Sequence, residues 1–405
     1  MREKTVCSID IGDATVVAAI ASVTRKGKIS SIEFEQGKSR GVAKGMVSDI
    51  RVLSDCIQRV VKKLETKAKK KVTEVYVNVA NSSCCIKRSH AVMPLAEKGS
   101  KVIRNDDMKK INRQARLLGL EIEEEVIHDF PQHYTVDGYG PRKNPFGLYG
   151  RKLEVELLMI IMKMSHKDNI AKALNHAGLE VKEMVFSSLA TSLAVLDQNQ
   201  KQKGCILLDI GATTTSFLVF QDGILQEVDI VPFGGNAITE SIAAEAKIPL
   251  DLAEELKKSY ALAFCEKIDE KDEILIKKSQ AYLPIKRRLI CEAAQAQLEQ
   301  FIALMRDRID AARKSAAQGI VIAGGASLMD GLAELIESRI HMPTKIGKVK
   351  GIFLSPSKVS LYSTALGLIH YAIDAHIIRK NILDVGRGYM KECVQRIKYL
   401  CQEYF

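Results

Sequence analysis

Two stretches of the chain share the same order of apolar and small polar positions. They are "CSIDIGDATVVAAI" (Cys7–Ile20) and "LLDIGATTTSFLVF" (Leu207–Phe220). In each, a short apolar run leads into Asp-Ile-Gly, then into small or hydroxylated residues, and then into a second apolar run. Short runs rich in Val, Ile and Thr around a glycine predict two strands joined by a tight turn. Because the pattern occurs twice, we expect two halves of similar build.

The remaining pattern alternates strand-like and helix-like segments, which is typical of an α/β fold. Asp49 is a predicted N-cap for a helix that begins "RVLSDCIQRVV", and Thr239 to about Phe264 is also predicted to be helical. From about 84 to 163 the pattern changes to long strands, one helix from Asp106 to Leu118 and a proline-containing loop, "YGPRKNPFGLYG". We expect this segment to be an independent α+β insertion.

Composition narrows the functional classes. With 405 residues, 46% of them hydrophobic and 27% charged, the chain has a globular composition and room for roughly two to three domains. Tryptophan is absent and aromatic residues are 5%, which argues against a stacking platform for single-stranded nucleic acid. The net charge of +11 favours an acidic partner. No nucleic-acid motif accompanies that charge, so we expect an anionic membrane or an acidic protein rather than nucleic acid.

Cysteine usage and the apolar runs bear on the compartment. The nine cysteines include no CxxC pair and no zinc-type spacing, which predicts a reducing compartment. The N-terminal "MREKTVCSIDIG" leads directly into a predicted strand, so no signal peptide is expected. No apolar run has the length needed to span a bilayer. These features predict a cytosolic protein or one held at a membrane surface.

The repeated hairpin suits phosphate chemistry. A glycine lets backbone approach a ligand closely, turn amides point at anionic oxygens, and Thr hydroxyls add donors. Because an Asp would repel phosphate directly, its expected task is to orient magnesium or the waters around it. Two such hairpins facing each other would hold a polyphosphate from both sides. A later turn, "IAGGAS" (Ile322–Ser327), leaves room for a flat ligand such as adenosine, although alone it equally fits an ordinary strand-to-helix turn.

Other candidate sites are weaker. "GKS" at Gly37–Ser39 lacks the earlier glycine of a Walker motif, since Ile32 stands there, and no GxGxxG is present. No Ser-His-Asp or Cys-His arrangement stands out by spacing. His128 and His133 flank "DFPQ" and are interpreted as structural rather than catalytic.

The last stretch, Arg387–Phe405, has the pattern of an amphipathic helix. Lys and Arg lie opposite an apolar face formed by Met390, Cys393, Val394, Ile397, Leu400, Cys401, Tyr404 and Phe405. Such a helix lies in a membrane interface, or it packs on its own domain or on a second subunit. The pattern alone leaves these alternatives open.

Several motifs, in order along the chain, resemble the FtsA family of bacterial cell-division proteins within the actin-like ATPase superfamily. Besides the two hairpins and the Gly-Gly turn, they are "GVAKGMVSDI" (Gly41–Ile50), "VIHDFPQHYTVDG" (Val126–Gly138), "NPFGLYGRKLEVE" (Asn144–Glu156), "VPFGGNAIT" (Val231–Thr239) and "YSTALGLIHY" (Tyr362–Tyr371). The resemblance implies an α/β, actin-like two-lobed fold with an inserted α+β subdomain in the first lobe and a C-terminal amphipathic helix.

The resemblance also implies a division of the chain. The first lobe is expected at 1–83, completed by 164–200 and about 352–378, with the inserted subdomain at 84–163. The second lobe is expected at 201–351, and about 231–300 within it would bind the FtsZ tail. A linker at 379–386 and a membrane-targeting helix at 387–405 would follow.

The implied ligands are ATP and Mg²⁺, held in the cleft between the lobes. The residues expected to bind ATP are Asp10, Gly12, Thr15, Asp209, Gly211, Thr213, Thr214, Glu254, Lys257, Gly324, Gly325 and Ala326. Asp10 and Asp209 are expected to hold the metal through water.

This chain departs from the family pattern in its phosphate loops. Ala212 and Thr213 replace two glycines, and Ser216 replaces a final Asp. Asp13 stands where Thr or a small residue is usual, and Asn236 stands where some relatives have Asp. We therefore expect at most a weak ATPase, with nucleotide acting mainly as a conformational and polymerisation ligand.

The implied partners follow from the same resemblance. They are the C-terminal tail of the tubulin-like FtsZ, further copies of the chain in a filament, later divisome proteins at the inserted subdomain, and the cytoplasmic membrane. The apolar face of the last helix, apart from Cys393, is assigned to the membrane. The expected location is peripheral, on the inner face of the cell membrane at the division septum. The alternatives are a soluble actin-like ATPase and a pilus-assembly ATP-binding protein of the same fold.

Overall fold

The computed structural model describes residues 3–278, 281–349 and 360–375. The linker predicted at 379–386 and the membrane-targeting helix predicted at 387–405 lie outside these residues.

The first lobe begins with a three-stranded antiparallel unit. Its elements as far as the insertion are β1 (Lys4–Ile11), β2 (Thr15–Val23), β3 (Ile29–Lys38), β4 (Val42–Ala43), β5 (Met46–Val47), α1 (Ile50–Ala68) and β6 (Glu74–Val79). Helix α1 begins where predicted, because the Asp49 carboxylate accepts hydrogen bonds from the amides of Arg51 and Val52 at 2.9 and 3.0 Å. Its buried face includes Leu53, Ile57 and Leu64, which pack on the sheet.

The inserted segment is a small α+β unit, as predicted. It comprises β7 (Cys84–Pro94), β8 (Lys101–Val102), α2 (Asn105–Leu118), β9 (Glu124–Val136), β10 (Tyr139–Arg142), β11 (Tyr149–Gly150) and β12 (Lys152–Lys163). Strands β10, β9, β12 and β7 form one sheet in that order, and α2 covers it with its own buried core. The insertion also contacts the second lobe, where Gln132 Nε2 donates to the Leu225 carbonyl at 3.0 Å and Arg88 donates to the Gln226 carbonyl at 2.9 Å.

The chain then returns to the first lobe through α3 (Met164–His176), β13 (Glu180–Phe186) and α4 (Ser187–Val195). The completed sheet has the order β13-β6-β1-β2-β3, with β6 parallel to β1 and β13 parallel to β6. The insertion therefore leaves the sheet after β6 and rejoins it before β13 without interrupting it.

The second lobe repeats this arrangement. Its elements are α5 (Gln198–Lys203), β14 (Cys205–Ile210), β15 (Thr215–Gln221), β16 (Ile224–Val231), α6 (Gly235–Ala246), α7 (Leu250–Tyr260), β17 (Glu273–Lys278), β18 (Ala281–Lys286), α8 (Arg287–Ala312), β19 (Ile320–Ala323), α9 (Leu332–Ile340) and β20 (Thr344–Ile346). Its main sheet has the order β16-β15-β14-β19-β20. The repeated hairpins β1–β2 and β14–β15 thus occupy equivalent places in two five-stranded sheets.

The prediction of one continuous helix from Thr239 to about Phe264 was wrong. The structure has two helices, and the first ends where Lys247 adopts a left-handed conformation with φ of 55°. Pro249 then lacks the amide that a continuous helix requires, and it serves instead as the N-cap position of α7.

A last helix, residues 360–375, closes the described part of the chain on the first lobe. The Ser8 hydroxyl of β1 donates to the Ala365 carbonyl at 2.7 Å. Gly367 permits a close crossing with α4, because a Cβ there would lie 1.8 Å from the Ala190 carbonyl oxygen. The predicted α/β class with two lobes and an α+β insertion is confirmed. Among the described residues, no helix is both long and apolar enough to cross a membrane.

Candidate functional site

The two repeated hairpins have the same turn. In the first, the Gly12 amide donates to the Thr15 carbonyl at 3.0 Å, and in the second the Gly211 amide donates to the Thr214 carbonyl at 2.9 Å. Each turn has four residues between the last strand pairs, which are Ile11 with Val16 and Ile210 with Thr215. The local sequence determines this geometry, since the bonds span only a few residues.

These turns face each other across a cavity of about 820 Å³ between the lobes. That volume lies within the range of about 300–1,000 Å³ typical of small-molecule sites. All twelve residues expected to bind a nucleotide line the cavity: Asp10, Gly12, Thr15, Asp209, Gly211, Thr213, Thr214, Glu254, Lys257, Gly324, Gly325 and Ala326. The structure therefore brings the predicted set together, and the role of each residue toward a ligand stays a prediction.

Two carboxylates lie where the strands end at the cavity, that of Asp209 buried and that of Asp10 partly exposed. Burial, with the nearby charge of Asp209, raises the pKa of Asp10 to about 7. Burial also raises the pKa of Asp209, although the Ser188 hydroxyl donates to its Oδ2 at 2.7 Å. Two carboxylates that repel each other in a buried site suit a cation, so the pair fits the expected magnesium.

Two polar side chains that support the two hairpins, Asn78 and Ser188, were not predicted from the sequence. Asn78 Oδ1 accepts a hydrogen bond from the Ile11 amide at 2.6 Å, and its Nδ2 donates to the Ser187 hydroxyl at 2.7 Å. Ser188, beside it, holds Asp209 of the other lobe. The available signal for Asn78 was one amide side chain within the apolar strand "VYVNVA".

The N-terminus of α6 is tied to the second loop. The Gly235 amide donates to the Gly211 carbonyl at 2.9 Å, and the Asn236 amide donates to the Ala212 carbonyl at 2.8 Å. A Cβ at Gly234 would lie 2.5 Å from the Ala212 carbonyl, so glycine is needed for this approach. The loop and the start of α6 therefore form one unit.

A partly buried ion pair lies at another side of the cavity. Lys257 Nζ contacts Glu254 Oε2 at 2.5 Å and donates to the Gly235 carbonyl at 2.9 Å. Although burial alone raises it, hydrogen bonds from Lys257 and Thr239 hold the pKa of Glu254 below its ordinary value. Burial lowers the pKa of Lys257. The pair thus links α7 to the start of α6 and to the second loop.

The two glycines of the predicted adenosine turn have different environments. Gly324 has φ of +83°, and a Cβ there would lie 2.4 Å from the Ile210 carbonyl oxygen. A Cβ on Gly325 would meet nothing within 4 Å. Glycine is therefore required at position 324, because a side chain there would overlap the backbone of β14. At position 325 glycine leaves open space at the cavity.

The two turns are joined directly through two of the departures from the expected family pattern, Asp13 and Thr213. The Thr213 hydroxyl donates to Asp13 Oδ2 across the cleft, and the Gly45 amide donates to Asp13 Oδ1 at 2.7 Å. The Thr213 hydroxyl, predicted to donate to phosphate, is thus bonded to a carboxylate here. Ser216, another departure, is fully buried, and its hydroxyl makes no hydrogen bond within the described residues.

The structural interpretation of His128 is supported by its contacts. Its Nε2 accepts a hydrogen bond from the Phe186 amide at 3.0 Å, which joins the insertion to β13. His133 is partly exposed, with Nε2 3.9 Å from a carboxylate oxygen of Glu156. Neither residue lines the cavity between the lobes.

Most of the basic side chains around the second lobe's α7 and α8 have acidic partners. Lys258 contacts Glu254 at 3.0 Å, Arg287 contacts Asp272 at 3.2 Å, and Arg288 contacts Glu270 and Glu292 at 2.7 and 2.8 Å. Their charge is therefore largely balanced within the lobe.

Comparison with protein-family models gives two matches. A model described as "Cell division protein FtsA" matches residues 206–367, and one described as "SHS2 domain inserted in FTSA" matches residues 82–161. The second match coincides with the α+β insertion.

Curated relatives match over nearly the whole chain. A cell division protein FtsA of Pseudomonas aeruginosa is 27% identical over 380 residues, which cover 91% of this chain and 89% of that protein. The FtsA of Escherichia coli K12 is 26% identical over 387 residues, covering 92% of this chain and 91% of that protein.

Solved structures show the fold. A chain of a PilM–PilN type IV pilus biogenesis complex has a TM-score of 0.65 at 16% identity, covering 91% of this chain and 98% of its own. MreB 5 of Spiroplasma citri bound to AMPPNP has a TM-score of 0.51 at 13% identity, covering 95% of this chain and 99% of its own. The two-lobed architecture is therefore that of actin-like proteins.

Proposed function

Because the chain belongs to the FtsA family of cell-division proteins, we propose that it is an ATP-binding, polymerising adaptor that anchors FtsZ to the inner face of the cytoplasmic membrane. The observation that carries this proposal is the insertion between β6 and α3, which matches the SHS2 domain of FtsA and is built into an actin-like lobe. The proposed location is peripheral, at the division septum.

We propose that the cleft binds ATP with magnesium. The twin turns would present backbone amides and the Thr15 and Thr214 hydroxyls to the phosphates, and Asp10 and Asp209 would hold the metal through water. Bound magnesium would supply positive charge between the phosphates and these carboxylates. Glu254 and Lys257 would border the sugar and base, next to the turn formed by Gly324, Gly325 and Ala326.

Nucleotide hydrolysis is proposed to be weak at most. The replacement of flexible glycines by Ala212 and Thr213 stiffens the second loop, and Thr213 is bonded to Asp13. Nucleotide is therefore proposed to act mainly on conformation and on assembly.

The partner surfaces are proposed by position. The FtsZ tail would bind about residues 231–300, and later divisome proteins would bind the insertion. Lys257 and its basic neighbours have acidic partners, so we expect the net charge of this region to contribute little to the binding of an acidic tail. The amphipathic stretch Arg387–Phe405 is the proposed membrane anchor.

A pilus-assembly ATP-binding protein of the same fold is the nearest alternative. The PilM–PilN structure supports it only at the level of the fold, since the identity is 16%. Both family models and the "NPFGLYG" run within the insertion favour the FtsA function instead.

Liposome co-sedimentation tests the proposal. The full chain and a chain that ends before Arg387 are mixed with vesicles containing anionic phospholipid, with and without ATP and magnesium. We expect binding by the full chain, stronger binding with ATP, and loss of binding on truncation.

Full-length variants provide a matched control. Val394→Glu with Ile397→Glu changes the apolar face, whereas Gln395→Glu with Gln402→Glu makes the same charge change on the polar face. Only the first pair is expected to abolish binding. Equal pelleting of the full and shortened chains, or no pelleting of either, would contradict the anchor and favour a soluble actin-like ATPase.

A further inference from the structure

One carboxylate joins three segments at the mouth of the phosphate loops. Asp13 lies in the turn of the first hairpin and accepts a hydrogen bond from the Gly45 amide at 2.7 Å. Its other oxygen accepts a hydrogen bond from the hydroxyl of Thr213, which lies in the equivalent turn of the opposite lobe. Asp13 and Thr213 both line the cavity, so this contact crosses the space that the two turns enclose.

The position of the Asp13–Thr213 contact indicates which phosphate of a bound nucleotide would lie next to it. The Gly324–Gly325 turn and the Glu254–Lys257 pair lie on the second lobe, beside the start of α6. A phosphate held by the amides of both turns at once must lie between residues 12–15 and 211–214. If the base and sugar lie at the Gly324–Gly325 turn, the phosphate farthest from the sugar would be the one that lies between the two turns. Asp13 and Thr213 meet in that space.

We propose that Asp13 disfavours a terminal phosphate, so that the cleft binds a nucleoside diphosphate more tightly than the corresponding triphosphate. The inference rests on the proposed nucleotide site. A triphosphate must separate Asp13 from Thr213 and place additional negative charge beside the carboxylate, in a half-buried site where water screens it poorly. A diphosphate ends one phosphate earlier and leaves the Asp13–Thr213 contact in place.

Calorimetric titration of the full chain with ADP and with ATP, each with magnesium, tests this discrimination. We expect wild-type protein to bind ADP at least tenfold more tightly than ATP. Asp13→Ala should raise the affinity for ATP at least tenfold and change that for ADP less than threefold. Asp106→Ala, which removes an exposed carboxylate from α2, is the control and should change neither affinity.

Two further variants separate charge from hydrogen bonding. Asp13→Asn keeps one oxygen that can accept from the Gly45 amide and gains an NH2 group that can donate to the Thr213 hydroxyl oxygen, but it removes the charge, so it should bind ATP as Asp13→Ala does. Thr213→Val keeps the charge and removes the cross-lobe hydrogen bond, so most of the preference for ADP should remain.

Three outcomes would overturn the inference. Weaker ATP binding by Asp13→Ala would indicate that Asp13 helps to hold the metal, and an unchanged ratio of ATP to ADP affinity would indicate that it has no role in discrimination. If wild-type protein binds neither nucleotide, the proposed nucleotide site fails, and this inference fails with it. Either of the first two outcomes, seen while wild-type protein binds both nucleotides, would refute the inference alone.

Discussion

Acidification is expected to weaken the junction between the insertion and the first lobe through His128. The ring is partly buried, and the loss of hydration there lowers its pKa from the ordinary 6.5 to about 4. Because Nε2 accepts the Phe186 amide hydrogen, the neutral ring must carry its proton on Nδ1. Protonation of Nε2 would place two N–H groups against each other. It would also introduce a charge beside the ring of Tyr371, whose centroid lies 5.8 Å away.

The magnitude follows from the difference between the two pKa values. Above pH 6.5 the ring is neutral in both the folded and the unfolded chain, so its ionisation does not reduce the free energy of unfolding there. As the pH falls below 6.5, the unfolded chain takes up a proton that the folded chain does not take up until about pH 4. At about 1.36 kcal/mol per pH unit, the free energy of unfolding falls by about 2 kcal/mol between pH 7 and pH 5.

Urea unfolding followed by circular dichroism at pH 7 and pH 5 measures this loss. Other groups also titrate in the interval, so the quantity to compare is the difference between wild-type protein and His128→Gln. The glutamine oxygen can accept the Phe186 amide hydrogen without titrating. We expect the variant to gain about 2 kcal/mol relative to wild type on going from pH 7 to pH 5.

His133→Gln is the matched control. It makes the same substitution in the same strand, at a ring that is 39% exposed by side-chain area. A difference between wild type and His128→Gln that stays constant from pH 7 to pH 5 would refute the reasoning. It would show that the ring reaches water or that the acid form is tolerated.

Two further predictions concern the glycines of the Gly324–Gly325 turn and the N-cap of α1. Gly324→Ala places a Cβ against the β14 backbone at φ of +83°, a region that essentially only glycine adopts, so urea unfolding should show a loss of at least about 2 kcal/mol. Gly325→Ala should keep the stability and lower nucleotide affinity in titrations, and equal stability losses in both variants would contradict this distinction. Asp49→Ala removes the N-cap of α1 and should cost about 1 kcal/mol by the same measurement. Asp55→Ala within the exposed face of α1 should change stability by less than about 0.5 kcal/mol.

Local chemistry made much of the site predictable. The Asp-Ile-Gly turns could be predicted because their geometry is local. The hydrogen bond from the Gly12 amide to the Thr15 carbonyl spans four residues, and the hydrogen bond from the Gly211 amide to the Thr214 carbonyl repeats it. The N-cap at Asp49 is equally local. The prediction of one long helix after Thr239 was wrong. The helical periodicity of the sequence continues through Pro249, but proline has no amide hydrogen to donate within a helix, and a new helix begins after it.

Other features of the site depend on residues that are far apart in sequence. Asn78 and Ser188 are unremarkable in their local sequences, and each gains its role from a partner in another element, Ile11 for the first and Asp209 for the second. Asp13 was identified as a charge near phosphate, but its bond to Thr213 requires the two lobes to face each other.

The repeated hairpins, the two-lobed α/β class and the inserted subdomain could be predicted from the sequence, because each rests on short-range patterns or on motifs within one segment. Which groups meet across the cleft, and which glycines are required for packing, became known from the folded chain. Gly367 is an example, since nothing in "STALGLIHY" reveals that a Cβ would overlap the Ala190 carbonyl. The physical reason is that spacing along the chain determines local geometry, whereas contacts between distant segments depend on how their surfaces pack.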